Sequence, residues 1–417
     1  MVLLPARIAE QLRLALVVQR YGTQISGGAE LHARLIARQL ARQHEIVVVT
    51  TCAADYLTWR NQYPRGLSSL DGIPVYRFPV RRPRDPRRFG RLQERIFHRQ
   101  HDKSDALAWM DAQGPYSPRM LRWIEHHRDS FDYFICFSYR YWTTWHAMQA
   151  VDGKGVLVPT AEPDPAIELP LYHTVFRSAR AIMYNSYEER AMIHHHSGNE
   201  SVPGVVVGVG IVEPPPVDAA RFRNARDVEG QFLLYVGRID RNKGCAQLFD
   251  FYLRAYDRLR QEGLRPPRLV LAGSAVMSIP EHPAIIHLGR VTEQEKYDAL
   301  AASTALVMPS FYESLSMVLL EAWALSRPVV VNGHCDVIRG QSERSNGGLW
   351  YCNSAEFAEC LRWLAQDRRL GAALGESGHA YYKANYTWPT IVDKYETVLT
   401  RLQADDAARR DPQQRPS

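Results

Sequence analysis

Two groups of residues in the second half of the chain are suited to binding a diphosphate. Arg238 and Lys243 lie five positions apart. An arginine fork contacts two phosphate oxygens, and a lysine adds a movable point charge. Further along, Glu313 and Glu321 flank a predicted helix start at Ser314, Leu315, Ser316 and Met317. Free N–H groups and the dipole at such a start favour phosphate, so the pattern predicts a phosphate seat with two carboxylates nearby.

The elements that carry these residues read as parallel strands followed by helices. Residues 232–236 and 304–308 are short apolar runs typical of buried strands, and each precedes one of the two groups. Because parallel strands end at a common edge, Arg238, Lys243 and Glu313 are expected above the same edge of one sheet.

The first half begins with the same kind of unit. Residues 12–19 and 45–51 read as strands around a helix at 29–40, which Gly27 and Gly28 precede. Two glycines allow a ligand to approach the backbone closely. The alternative is that they serve only a tight turn, since the full dinucleotide-binding fingerprint is missing.

The length of 417 residues and the strand-helix pattern predict two doubly wound α/β domains, facing each other across a cleft. The prolines at 214–216 mark a linker, which gives domains at residues 1–213 and 214–387. A final helix is expected at 388–402, and the polar residues 404–417 are expected to be disordered.

Composition narrows the class of partner and compartment. A net charge of +6 favours an anionic small molecule or surface over nucleic acid. The six cysteines form no C-x-x-C pair, and no run approaches the roughly 20 apolar residues of a membrane span. We therefore expect a cytoplasmic protein, in contact at most with the inner face of the membrane.

Two segments of the first half leave alternatives open. One is arginine-dense, with Arg81, Arg82, Arg84, Arg87, Arg88, Arg91, Arg95 and Arg99. It is either a solvated helix face or a basic patch that receives an anionic acceptor or lies against acidic lipid. The other carries four aromatic residues between positions 139 and 145, which either stack on sugar rings or fill the core.

Together, the Gly-Gly-Ala-Glu loop, the Gly-Arg and Lys-Gly pairs and the glutamates eight positions apart resemble the retaining glycosyltransferases of family 4. The resemblance covers residues 12 to about 402 and is more specific in the second half. It implies the GT-B fold, with a nucleoside-diphosphate sugar donor held mainly by the second domain. It also implies that the last helix crosses back to the first domain.

The resemblance implies a role for each site residue. Arg238 and Lys243 would hold the donor diphosphate, helped by the backbone N–H groups of residues 315–317. Glu321 would bind the ribose, and Glu313 would contact the transferred sugar. Gly27 and Gly28 would let the acceptor-side loop approach the phosphates, and the turn with Gly289, Arg290 and Val291 would meet the nucleobase.

Such a set stabilises a departing diphosphate by preorganised cations and N–H dipoles. The sequence has no Asp-x-Asp pair, so neither a metal nor another cofactor is expected. One departure concerns Glu162, which stands where the family usually has a histidine near the reacting sugar. This glutamate could bind a sugar hydroxyl, stabilise an oxocarbenium-like centre or carry a proton. It could equally mark lost catalysis, or be a solvated loop carboxylate.

Three functions follow from these residues. The first is transfer of a sugar to a glycan, sugar or lipid-linked acceptor with retention of configuration, in polysaccharide biosynthesis. The second is a catalytically impaired subunit that binds a nucleotide sugar. The third is a sugar-nucleotide 2-epimerase, which shares the architecture. The sequence leaves the donor base, the sugar and the acceptor open.

Overall fold

The computed structural model describes residues 11–25 and 27–410, except for the side chain of Arg410. The chain divides into two compact units, with breaks after Gly208 and after Thr390. The first unit combines the chain before the first break with the chain after the second. Each unit contains its own sheet.

The first unit has an eight-stranded sheet in the order β3-β4-β2-β1-β5-β6-β7-β8. Its strands are β1 (Arg13–Val17), β2 (Glu45–Thr51), β3 (Gly66–Leu70), β4 (Ile73–Phe78), β5 (Tyr133–Phe137), β6 (Gly155–Val158), β7 (Ala181–Tyr184) and β8 (Gly204–Val206). Only the pairing of β3 with β4 is antiparallel among these strands. The central strands are buried on both faces, which is why they read as continuous apolar runs.

Seven helices of the first unit connect these strands: α1 (Gly28–Leu40), α2 (Pro86–His98), α3 (Lys103–Gln113), α4 (Pro118–His126), α5 (Trp142–Ala150), α6 (Pro170–Ser178) and α7 (Tyr187–Ser197). Short 3-10 turns occur at Arg128–Ser130 and Pro165–Glu168. Local capping fixes several of the helix starts. Asp85 caps α2, and Asp102 forms a capping box with Asp105 in α3.

The second unit has a six-stranded parallel sheet in the order β11-β10-β9-β12-β13-β14. Its strands are β9 (Phe232–Val236), β10 (Arg268–Ala272), β11 (Ile285–Gly289), β12 (Ala305–Met308), β13 (Val329–Asn332) and β14 (Gly348–Tyr351). Its helices are α8 (Ala219–Arg226), α9 (Cys245–Gln261), α10 (Glu293–Ala302), α11 (Met317–Ala324), α12 (Asp336–Ser345), α13 (Ser354–Gln366) and α14 (Arg368–Asn385). The strand order reverses direction at β9 and β12, where open α/β sheets bind ligands.

The last helix, α15 (Trp388–Arg410), extends further than the sequence predicts. Residues 404–410 are helical, so the prediction of disorder is wrong there; residues 411–417 lie outside the described part of the chain. The reason is tertiary contact within the first unit. Asp406 accepts hydrogen bonds from the Tyr133 hydroxyl at 2.7 Å and from Arg180 at 2.8 Å. These bonds hold a polar end of the helix that has little apolar surface of its own.

The proline-rich segment after position 213 lies inside the second unit and is not a free linker. The carbonyl of Val212 accepts a hydrogen bond from Tyr297 at 3.2 Å, and that of Pro216 accepts one from Gln294 at 2.9 Å. Both donors belong to α10, which therefore anchors the segment. The domain boundary predicted at residue 213 thus falls within the second unit, whose first residue is Val209.

Among the helices of residues 11–25 and 27–410, none combines the length and the apolar character that a membrane span needs.

Candidate functional site

The loops after β9 and β12 meet at the carboxyl edge of the second sheet. Gly244 precedes α9 with a φ of 75°, and a Cβ there would lie 2.0 Å from the carbonyl oxygen of Pro309. Only glycine tolerates both this conformation and this approach. The sequence prediction that both loops lie above one edge of one sheet agrees with this contact.

Lys243 and Glu313 form an ion pair across these two loops. The ammonium nitrogen lies 2.8 Å from Oε1 of Glu313. The side chain of Lys243 is 37% exposed, whereas that of Glu313 is 11% exposed. The lysine can therefore still be reached by an anion from solvent, while the carboxylate beneath fixes its position.

Arg238 is held by Asp240, a residue that the sequence analysis did not single out. One carboxylate oxygen of Asp240 accepts from Nε of Arg238, and the other accepts the backbone N–H of Lys243 at 2.7 Å. The Asp240 side chain is largely buried, whereas the Arg238 guanidinium is partly exposed. A single carboxylate thus orders both cationic residues. In the sequence, the position of Asp240 between Arg238 and Lys243 is the feature that could have indicated this role.

The helix of the phosphate seat begins later than predicted. The start expected near Ser314 is wrong, because α11 begins at Met317 with Ser316 as its cap. The Ser316 hydroxyl accepts the N–H of Leu319 at 3.4 Å. Ser314 and Leu315 therefore belong to the loop, and Leu315 is buried. The N–H groups near the helix start remain the candidate phosphate donors.

Glu321 is paired with a cation that the sequence analysis missed. Nζ of Lys296 lies 2.8 Å from Oε1 of Glu321, and both side chains are nearly buried, at 12% and 11% exposure. Burial raises the pKa of Glu321, and Lys296 offsets part of that rise. Burial opposes the charge of Lys296, but Glu321 and Glu293 outweigh it and raise the lysine pKa. Glu313 and Glu321 thus have separate cationic partners, Lys243 and Lys296.

Arg290 and Val291 follow β11, the edge strand of this sheet. Gly289 before them has a φ of 72°, and its carbonyl accepts the N–H of Gly273 at 2.7 Å. Arg290 is exposed and Val291 is partly buried. They lie on the same carboxyl side of the sheet as the cations, two strand positions from β9.

In the first unit, the two glycines before α1 have different surroundings. A Cβ on Gly27 would lie 2.2 Å from a carboxylate oxygen of Glu30, whereas a Cβ on Gly28 would meet nothing within 4 Å. Glu30 is buried and accepts from Arg20 and Gln19. A Cβ at Gly27 would therefore crowd this internal ion pair, while Gly28 leaves open space beside the helix start.

Glu162 is exposed on the loop after β6, and a second glutamate lies beneath that loop. Glu189 has no exposed surface, and its carboxylate accepts the backbone N–H groups of Ala161 and Asn185 at 2.5 Å. Burial raises the pKa of Glu189 to about 8, with a smaller contribution from the charge of Glu162. Glu189 thus positions the loop that carries Glu162, a role that the sequence analysis missed.

The arginine-dense segment divides into two parts. Arg84 is half-buried, with its guanidinium over the rings of Trp59 and Phe89, and it donates to the carbonyl of Gln113, so it is structural. The exposed face of α2 carries Arg87, Arg88, Arg91 and Arg95. Of the aromatic residues in the neighbouring segment, Tyr139, Trp142 and Trp145 are buried and belong to the core.

Comparison with known families finds a similarity within the second unit. Residues 230–367 match the family described as glycosyl transferases group 1. The matched region contains Arg238, Lys243, Glu313 and Glu321, the residues predicted to bind the donor.

Relatives that match a longer part of the chain are also named glycosyltransferases. The chain is 29% identical over 266 residues to a D-inositol 3-phosphate glycosyltransferase of Streptomyces bingchenggensis, a match that spans 58% of this chain and 57% of that enzyme. It is 22% identical to an uncharacterized glycosyltransferase of Methanocaldococcus jannaschii, over 92% of this chain and 94% of that protein.

Among solved structures, the α,α-trehalose-phosphate synthase (UDP-forming) of Burkholderia vietnamiensis superposes with a TM-score of 0.67 at 14% identity. That match covers 94% of this chain and all of the synthase. The prediction of a GT-B fold built from two Rossmann-like domains is confirmed.

Proposed function

We propose that the protein transfers a sugar from a nucleoside-diphosphate donor to a glycan, sugar or lipid-linked acceptor, with retention of configuration. The observation that carries this proposal is the Lys243 and Glu313 pair beside the Arg238 and Asp240 pair, at the carboxyl edge of the second unit's sheet. Two ordered cations with accessible donor groups suit a diphosphate. The relatives are glycosyltransferases, which supports the same class of reaction.

In the proposed reaction, the bond between the anomeric carbon and the diphosphate oxygen breaks. Negative charge builds on the departing diphosphate, where Lys243 and Arg238 stabilise it. Because Asp240 and Glu313 already hold these cations, little reorganisation is needed during the reaction. The two side chains would supply the charge that a divalent metal supplies elsewhere, so we propose a metal-independent transferase.

The other residues take roles in donor binding. Glu321, fixed by Lys296, would accept hydrogen bonds from the ribose hydroxyls, and Glu313 would contact the transferred sugar. Arg290 and Val291 would border the nucleobase, and Gly28 would leave open space for a ligand beside the start of α1. Glu162 would act on the acceptor side, held in place by Glu189. The trehalose-phosphate synthase of similar fold is UDP-forming, which makes UDP-sugars the first donors to test.

The exposed arginines on α2 support contact with an anionic acceptor or with acidic lipid. We propose a cytoplasmic location, peripheral to the inner face of the membrane, and a role in polysaccharide biosynthesis.

The test is turnover with a panel of UDP- and GDP-sugars, following release of nucleoside diphosphate and assigning the product anomer by NMR. We expect release of diphosphate and a product with the donor's configuration. Arg238→Ala with Lys243→Ala should abolish donor binding, while Arg241→Ala, an exposed cation of the same loop, should not.

Other outcomes separate the alternatives. An inverted product contradicts retention, and a 2-epimer formed without acceptor favours the epimerase. Donor binding without any turnover favours the binding subunit, for which the glutamate at position 162 is the motivating observation.

A further inference from the structure

Two adjoining cavities of the first unit are lined by none of the residues proposed to bind the donor. One has a volume of about 780 Å³ and lies among α3, α5 and α6. Its apolar lining consists of Ala106, Leu107, Trp145, Met148, Leu169 and Leu171. The other, of about 700 Å³, lies between the end of α2 and the turn Pro165–Glu168. His101, Leu169 and Pro170 line both, so the two cavities adjoin, and together they are called the groove below.

The end of the groove among α3, α5 and α6 has the character of a hydrocarbon site. The indole N–H of Trp145 is already bonded to the carbonyl of Leu171 at 3.1 Å, so the ring offers carbon to the cavity. Met148 adds a flexible apolar surface that adapts to irregular chains. The volume lies within the range of about 300 to 1,000 Å³ typical of ligand pockets.

The other end of the groove carries groups that bind phosphate. His98, Arg99 and His101 line the second cavity, and Lys103 lies where the two cavities join. All four side chains are exposed and can donate hydrogen bonds to anionic oxygens. The nearby arginine face of α2 adds positive potential.

Acidic side chains also border the groove. Glu168 lines the second cavity, and Asp102 and Asp152 line the first. The carboxylate of Asp102 is engaged at the start of α3, where it accepts the N–H of Asp105 at 2.8 Å. Arg99 on the second cavity and Lys103 on the first are the cationic side chains that an anion would meet there.

The groove is oriented toward the carboxyl edge of the first sheet. Its polar end contacts the turn Pro165–Glu168, which continues the loop that leaves β6 and carries Glu162. A ligand with its chain among α3, α5 and α6 would therefore point its head group toward that loop, where α/β sheets bind substrates.

We propose that this groove binds a long-chain alkyl or isoprenoid phosphate. The hydrocarbon occupies the apolar cavity, and the phosphate is bound by Arg99 and Lys103, with hydrogen bonds from His98 and His101. The role of this ligand as the lipid-linked acceptor rests on the proposed transferase function, whereas the binding site itself does not.

The test is calorimetric titration of the full chain with octyl, decyl and dodecyl phosphate, each below its micellar concentration. Burial of each added methylene should raise the affinity about fourfold, so dodecyl phosphate, with four more methylenes, should bind roughly 250-fold more tightly than octyl phosphate. Inorganic phosphate and dodecyl maltoside should bind far more weakly than dodecyl phosphate. An affinity independent of chain length, or equal for the neutral maltoside, overturns the proposal.

Two variants locate the ligand on the groove. Thr174→Trp fills the apolar cavity and Arg99→Glu reverses the charge at its polar end; each should lower the affinity for dodecyl phosphate at least tenfold. The matched controls are Ala372→Trp on an exposed part of α14 and Arg122→Glu on α4. Both should leave the affinity for dodecyl phosphate unchanged. Equal losses in the controls overturn the location, and the chain-length series in the wild type remains decisive if a variant does not fold.

Two further measurements separate this proposal from its alternatives. Binding to anionic phosphatidylglycerol vesicles without binding to monomeric alkyl phosphates overturns it and indicates a membrane surface instead. Donor binding is measured in the same variants and should be unchanged. If no nucleotide sugar binds or turns over while alkyl phosphates bind, the transferase proposal fails and the groove stands.

Discussion

Replacing Lys296 by methionine tests the ion pair behind the proposed ribose site. The side chains of Lys296 and Glu321 are 12% and 11% exposed and lie 2.8 Å apart, so the pair is nearly buried. Removing one partner of a buried pair costs about 3 to 5 kcal/mol, because the other charge is left uncompensated. The remaining exposure reduces this cost, so we expect the free energy of unfolding to fall by about 2 to 3 kcal/mol.

The loss should depend on pH. Burial raises the pKa of Glu321, and Lys296 lowers it, so the variant should have a still higher pKa at this carboxyl. A carboxyl with a raised folded-state pKa binds more protons when folded, so its penalty grows as the pH rises through that pKa. The difference between wild type and variant should therefore be small near pH 4 and larger near pH 8.

The assay is urea unfolding of the full chain at several pH values, followed by circular dichroism. Lys383→Met, an exposed lysine of α14, is the matched control and should change the free energy little. The double variant Lys296→Met with Glu321→Leu should recover part of the loss. A pH-independent loss, or no recovery in the double variant, would refute the reasoning that an uncompensated carboxylate causes the effect.

Three further predictions concern backbone, positioning and pH. Gly244→Ala should destabilise the protein by more than about 1 kcal/mol in thermal unfolding, because the added Cβ would meet the carbonyl oxygen of Pro309. The control is Gly263→Ala, at a glycine with a φ of 78° and open space around its Cβ position, and it should destabilise the protein less. Asp240→Asn should weaken donor binding about tenfold by calorimetry, since Arg238 loses a charge-assisted bond. Recovery of the affinity in Asp240→Glu would support a positioning role, and an unchanged affinity in Asp240→Asn would contradict it. Glu189 has a pKa raised to about 8, so the wild type should lose stability between about pH 4.3 and pH 8. Glu189→Gln should remove that pH slope in chemical unfolding, and a slope equal to that of the wild type would be the contrary result.

The sequence was most informative in the second unit. There each predicted site residue lies in the loop after a strand or in the helix that follows, and local spacing fixes which edge of the sheet it reaches. The helix start was misplaced because Ser314 and Ser316 are both good caps, and only the loop packing selects Ser316. In the first unit the polar tail was predicted to be disordered, since its contacts with Tyr133 and Arg180 span more than 200 positions of sequence.

The sequence by itself determined the parallel α/β architecture, the two-unit organisation and the placement of Arg238, Lys243 and Glu313 above one sheet edge. These follow from apolar runs, strand-to-helix connections and the common direction of parallel strands. Only the tertiary structure decided which charges are paired. Lys243 with Glu313 and Lys296 with Glu321 come from different loops and helices, and such pairing depends on distances and burial that residue spacing does not encode.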